Sequence, residues 1–382
     1  TSSMTLSSSC PSSSPANTTE WSRADILDLI LSSDVEKTDP FLAQTVAELK
    51  RRGAHRCWHK HSSFLNHLTS VHQILKLWLP GSNGDVIARV GLLHSAYSNS
   101  YVNLALFNPN DFSERERVRD LIGVEAEKVV YLFCVIDRQT IVVDTLLKNG
   151  VIPAEGLDVP HIRDKTKTVH LDAEMLWLLV VFTMADISDQ YFGWWEDLFG
   201  GSMQGFGGSS LKNDAGPDPN ALWPGLSRPG LWVSHVSELG AVARSYNANS
   251  HTLPPVFDNC TRVLLLEHEN EARNLYWQVI TDTVSSDETI IEVLQQCIRL
   301  NPWVFEPRIM LAQKLLQANM FEEAQAEAER ALELEELWGF PWDKRLGFEA
   351  WVAWTRVLHQ RAEEKLPWPK SSWEVINFGL VK

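Results

Sequence analysis

Residues Gly91 to Tyr101 read GLLHSAYSNSY. They close an apolar run, VIARVGLLHS, that carries His94 to the end of a helix. One helix and one turn earlier stands HLTSVHQIL, which begins at His67. His67 and Val71 are one helical turn apart, and Ile74 and Leu75 continue the same apolar stripe, so His67 lies on the buried face of its helix. Much later FTMADISDQ carries Asp186 on a third apolar helix. Three separate helices thus each offer one metal-competent side chain. Two imidazoles and one carboxylate suit Fe, Mn or Zn.

Around these runs the chain has an ordinary globular composition. Its 382 residues fit two or three domains, with 44% hydrophobic and 22% charged residues. The net charge of −15 argues against a nucleic-acid partner, because phosphate binding needs a basic surface. Five scattered cysteines form no CxxC pair, which argues against a zinc ribbon or a redox pair and suits a reducing compartment. MLWLLVVFTMA is too short for a membrane span and ends at Asp186. The 16 tryptophans are read as helix packing, since each buries a large area, with ligand stacking as the alternative.

Residues 1–20 are rich in Ser, Thr and Pro and are expected to be disordered. They are acid-poor, as plastid transit peptides are, but carry no Lys or Arg, so the expected location is the cytoplasm, with a plastid or other organelle as the weaker alternative. Helical spacing then begins near Ser22 and recurs in DPFLAQTVAELKRRG, with Gly53 as its stop. It continues from Phe64 to Leu79, in DVIARVGLLHSAYSNS, in SERERVRDLIG and in EAEKVVYLFCVIDRQT. TIVVDTLL reads as a strand or a buried helical turn. Asp172 caps one long apolar helix, AEMLWLLVVFTMADISDQYFGWWEDLF. Residues 201–258 are Gly-, Pro- and Ser-rich over much of their length and read as a connector or lid. In residues 259–382, Ile290 matches Ala324 and Cys297 matches Ala331, each 34 residues later. That helical period resembles the tetratricopeptide repeat, with Asn319 where its turn glycine stands.

The order of the metal-competent pieces resembles the HD-domain superfamily of helical, metal-dependent phosphohydrolases, and most nearly the hydrolase domain of guanosine tetraphosphate enzymes. In that family a stretch like HPxxVAxIL supplies a first histidine, LLHD a second histidine and an aspartate, and ADRLHN a last aspartate. Here the counterparts are HLTSVHQIL, LLHS and ADISDQ, over about residues 45–200. The resemblance implies that His67, His94 and Asp186 hold one divalent ion per chain, Fe, Mn or Zn. It also exposes departures. Ser95 replaces the bridging aspartate, and a hydroxyl is a poorer ligand than a carboxylate. Ser98 and Asn99 replace the acidic pair that activates water in the tetraphosphate hydrolases, and neither can act as a base.

The expected architecture is all-α: an HD-like domain over 21–200, the connector, and a tetratricopeptide-like domain over 259–382. Three readings of the site stay open: a mononuclear metal centre with different chemistry, a metal-free pocket, and structural histidines. Under the first, the protein is an enzyme acting on a small molecule by hydrolysis, lyase or isomerase chemistry, or oxygenation. Tyr97 or His61 would transfer protons, and Tyr97 and Asn99 would touch substrate. Gln190 lies one turn beyond Asp186 on the same face. His72 points roughly 140° from His67. His161 and His170 occupy the region from which HD-type two-iron oxygenases draw extra histidines, but the bridging aspartate those enzymes need is missing. The alternative class is a degenerate HD-like fold whose repeat surface binds a ligand or protein partner.

Overall fold

The computed structural model describes residues 21–98, 105–198, 223–246, 255–281 and 286–376. The N-terminal twenty residues, Asn99 and most of the expected connector lie outside them. The fold is all-α. Helix α1 (Arg23–Leu31) starts at a capping box, in which Ser22 and Asp25 satisfy each other's backbone N–H groups. Helix α2 (Leu42–Arg51) stops at Gly53, whose φ of 89° only glycine adopts without strain. A two-stranded hairpin, β1 (Trp58–His59) and β2 (Ser62–Ser63), turns through Lys60 and leads into α3 (Phe64–Trp78). Helix α4 (Ser82–Leu93) begins earlier than its apolar run suggests, within the turn-like SNG. Helices α5 (Phe112–Ile122) and α6 (Val124–Val135) follow.

TIVVDTLL takes the buried helical alternative in a wider form: Thr140–Leu147 is a π-helical segment whose Ile141, Val142, Val143 and Leu146 are buried. A second hairpin pairs β3 (Leu157–Pro160) with β4 (Thr168–Leu171). Helix α7 (Ala173–Gln190) starts at Asp172, whose side chain accepts from the Met175 N–H. Every residue from Leu179 to Asp189 is buried, so α7 is a central helix rather than an amphipathic one. It packs on α3 and α4. The expected single long helix breaks at Tyr191 and resumes as α8 (Gly193–Leu198).

Part of the stretch read as connector is core. Helix α9 (Val233–Ser245) packs along α7, and its N-terminal N–H groups are satisfied by a buried carboxylate, Glu269. After α10 (Pro255–Cys260), helices α11 (Leu266–Ile280), α12 (Asp287–Leu300), α13 (Glu306–Gln317), α14 (Phe321–Trp338) and α15 (Phe348–Glu363) each pack on the one before or after, and a short α16 (Ser372–Ile376) ends the described chain. Ile290, Cys297, Ala324 and Ala331 are all buried in these contacts. Asn319 takes the left-handed conformation, φ 58°, at the α13–α14 turn, a conformation asparagine tolerates better than most side chains.

The two halves share one continuous apolar core. Its seam is aromatic: Trp338 lies 6.2 Å from Trp78 on α3 and 5.7 Å from Trp232, and Phe340 lies 5.7 Å from Trp232 (ring centres). Here the tryptophans pack helices together, through area and through tilted ring contacts. Among the described residues, no helix is long and apolar enough to cross a membrane.

Candidate metal centre

Helices α3, α4 and α7 bring His67, His94 and Asp186 together in the buried interior. The close approach of α3 and α4 depends on Gly91. A methyl group there would meet the His72 backbone nitrogen at 3.0 Å and Val71 Cγ1 at 3.2 Å. Across this contact His67 Nε2 lies 3.4 Å from His94 Nε2, and Asp186 Oδ1 lies 3.4 Å from the first and 3.8 Å from the second. A point about 2.1 Å from all three atoms exists between them, the length of a zinc–nitrogen or zinc–oxygen bond. The donor set and its spacing therefore fit one first-row divalent ion.

The outer ring nitrogens decide the protonation. His94 Nδ1 lies 2.9 Å from the Gly91 carbonyl oxygen, which can only accept, so Nδ1 carries the hydrogen. His67 Nδ1 lies 2.6 Å from Asp189 Oδ2 and donates to that carboxylate. Both Nε2 atoms are thereby turned inward toward Asp186. Carboxylate–histidine pairing of this kind fixes the ring and raises the basicity of its inner nitrogen. Burial pushes His94 down to about 4, so it is neutral. Burial opposes charge on His67 too, but the contacts with Asp186 and Asp189 outweigh it and push His67 up to about 9. With His94 neutral and His67 unprotonated, three electron-rich atoms face one another. Something positive must lie among them, a proton on His67 or a metal ion.

Asp186 is held from its other side. Arg138 Nη2 donates to Oδ2 at 2.5 Å, and the Gln190 side-chain amide donates to Oδ1. Burial would raise the Asp186 carboxyl, but Arg138 and the two histidines hold it well below the usual carboxylate range. Phe182 lies 5.2 Å from the His94 ring and Arg138 5.0 Å from the Phe182 ring, which closes that side with apolar surface. On the hairpin side the His59 ring lies 4.4 Å from the His67 ring. Its Nε2 is buried without a hydrogen-bond partner among the described residues, and burial pushes the imidazole down to about 3.

The other residues singled out in the sequence fall variously. His61 is on the hairpin turn, near Asp189, with its ring 6.0 Å from Phe192 and burial pushing it down to about 4. Tyr97 is committed elsewhere: its hydroxyl donates to Glu127 at 2.9 Å, and burial raises the phenol above its ordinary value. Glu127 is buried and also binds Arg115 and Arg119, so this is a separate cluster. Ser95 is buried beside His94, and Ser98 accepts from Arg163 at 2.7 Å. His72 faces away, 3.5 Å from Asp39. His170 pairs with Asp158 on the exposed second hairpin, and the His161 ring accepts backbone N–H groups of its own loop. Asn99 lies outside the described residues.

Asp189, Arg138 and His59 were missed. Asp189 had a signal, since it stands one turn from Asp186 within ADISDQ. Arg138 had none, because only the tertiary fold sets it beside Asp186. A family model described as Domain of unknown function (DUF6817) matches residues 48–138, a span that includes His67, His94 and Arg138 and ends before Asp186. Neither the curated proteins nor the solved structures contain a match to the chain.

Proposed function

We propose that the protein is a metal-dependent enzyme with an atypical HD-type centre, in which His67, His94 and Asp186 hold one divalent ion and a small molecule is the substrate. One observation carries this reading: three ligand atoms face one another at ligand-to-ligand spacing while both outer imidazole nitrogens are committed to acceptors. The order His, His, Asp on three helices supports the kinship with HD phosphohydrolases. A bound ion of this class supplies Lewis acidity and lowers the pKa of bound water.

The chain's own residues have distinct tasks. Asp189 and the Gly91 carbonyl orient the two imidazoles. Arg138 fixes the outer oxygen of Asp186 and offsets its charge. His59, its ring tilted against that of His67 and its Nε2 without a partner among the described residues, is better placed than Tyr97 to move a proton. Hydrolysis is the reaction favoured, since a Lewis acid and a neutral imidazole suffice for it and no second ion is called for. The net charge of −15 favours a small-molecule partner over nucleic acid, and the C-terminal helices offer a surface for a protein partner.

A second reading rests on the same histidine. With His67 protonated between Asp186 and Asp189, the cluster is satisfied without metal, and the fold then serves as a ligand- or protein-binding module. Elemental analysis of protein purified without added metal separates the two. The enzyme reading expects about one Fe, Mn or Zn per chain, lost in His94→Ala. Metal-free wild-type protein that also takes up none on reconstitution establishes the second reading instead.

A further inference from the structure

The last turn of a helix leaves carbonyl groups without helical donors. In α7 one of them, the Ser188 carbonyl, receives the Lys344 ammonium at 2.7 Å. Lys344 comes from the other half of the chain, in the loop between α14 and α15. Its neighbours hold that loop in place. The Asp343 N–H donates to Glu306 at 2.8 Å, and the Tyr276 hydroxyl donates to Asp343 at 2.8 Å. The Trp342 indole N–H donates to the Gly230 carbonyl at 3.0 Å, and the Trp351 indole N–H donates to the Asp343 carbonyl at 3.2 Å. The ammonium also donates to Pro341 O at 3.1 Å and lies 5.4 and 5.3 Å from the Trp232 and Phe340 ring centres. A rigid, largely buried framework therefore delivers one cation to the end of the helix that carries Asp186, Asp189 and Gln190.

A cation at a helix C-terminus binds orphan carbonyls and stabilises the dipole end. At this one it is also close enough to Asp189 for direct attraction. Ser188 adjoins Asp189 in the chain, and Asp189 sets the His67 ring. We propose that Lys344 is a positioning residue for the metal centre: it pins the turn Ser188–Asp189, so that the C-terminal helices are an integral part of the site rather than a separate module. The inference rests on the metal-centre reading above.

The test uses the full-length protein and Co(II), followed by its absorption bands and by competition for affinity, alongside thermal unfolding. Lys344→Met keeps the apolar stem and removes the charge. Lys344→Ala likewise removes the donor to Ser188 and is read by the same criterion where Lys344→Met does not fold. Trp338→Phe is the control: it loses the indole bond to Trp303 O in the same seam without touching Ser188. Removing outer-shell support costs about 10- to 100-fold in metal affinity. The expected result is Co(II) binding at least about 10-fold weaker in the Lys344 variant, with altered absorption bands, and wild-type affinity in Trp338→Phe despite a lower melting temperature. Wild-type affinity in the Lys344 variant overturns this inference alone, as does an equal loss in Trp338→Phe. Absence of Co(II) uptake by the wild type overturns the metal centre and this inference together.

Discussion

Metal binding here should displace one proton, and the proton is the one on His67. In the metal-free centre His67 Nδ1 lies 2.6 Å from Asp189 and Nε2 3.4 Å from Asp186, and these carboxylates push the imidazole up to about 9. An ion needs Nε2 as a lone pair, so it must evict that proton. His94, pushed down to about 4, is already neutral and releases nothing near neutrality. The sign follows directly. Below about pH 9 the proton competes with the ion, and each unit of acidification costs about 1.4 kcal/mol, a factor of ten. At pH 7 the apparent affinity is therefore about 100-fold below its alkaline limit, and it rises about 100-fold from pH 6 to pH 8. Calorimetric titration with Zn(II) or Co(II), repeated in buffers of different ionisation enthalpy, counts the proton directly. Asp189→Asn removes one of the two carboxylates, so the pH dependence should end at a lower pH while overall affinity falls about 10- to 100-fold. Stability of the metal-free protein runs the other way. A histidine raised in the fold contributes fully below its ordinary value of 6.5, and that contribution is lost as pH rises through about 9. Metal uptake with no proton release, at an affinity flat between pH 6 and 8, would refute the reasoning.

Gly91→Ala gains about 1 kcal/mol of helix propensity but forces α3 and α4 apart. Overpacking of this kind costs about 1–3 kcal/mol, so the net expectation is a lower melting temperature together with weaker Co(II) binding. Glu269→Ala strands the N–H groups of Trp232, Val233 and Ser234 and the Ser234 hydroxyl, and urea unfolding should show a loss of roughly 3 kcal/mol or more. Glu335 is pushed up to about 8 by burial, against its bond from Thr355. Its neutral form belongs to the fold, so stability is full below its ordinary value of 4.5 and falls as pH rises to about 8, by up to about 1.4 kcal/mol per unit; Glu335→Gln should flatten that part of the urea midpoint between pH 5 and 9. Ser95→Asp places a carboxylate in a buried position and should cost about 2–4 kcal/mol in chelator. Metal analysis should still find one ion per chain in that variant, and two ions would show that the scaffold was one ligand short.

The clustered His67, His94 and Asp186 were legible in the sequence because helical period reports which face is buried, and a polar residue on a buried face is costly enough to need a purpose. His67, His94 and Asp186 each interrupt an apolar stripe. The residues that set their protonation were not legible to the same degree. Gly91 acts through its carbonyl and its missing side chain, and Arg138 reaches Asp186 only through the tertiary fold. His59 belongs to a hairpin too short to leave an alternation pattern. Tyr97 misled because it adjoins the histidine in sequence, whereas the turn after α4 sends its hydroxyl to Glu127. The connector misled in a different way. Composition marks 201–258 as loop-rich, yet the VSHVSELGAVARS run inside it is a helix whose cap, Glu269, comes from a separate element. The π-helical TIVVDTLL left strand and buried helical turn both open, since its repeat is neither that of a strand nor that of an α-helix.

Charge balance connects the site to its chemistry. Two carboxylates, Asp186 and Asp189, are matched by two cations, Arg138 on the first and Lys344 near the second. With both histidines neutral the cluster carries no net charge but leaves three lone-pair atoms in opposition. A proton relieves the opposition and adds one positive charge; a divalent ion relieves it and adds two. Lys60, on the hairpin turn and within electrostatic reach of Asp186, adds to the excess. Buried positive charge of that size is unfavourable unless an anion joins it. A divalent ion held by His67, His94 and Asp186 would therefore favour a negatively charged companion in the site.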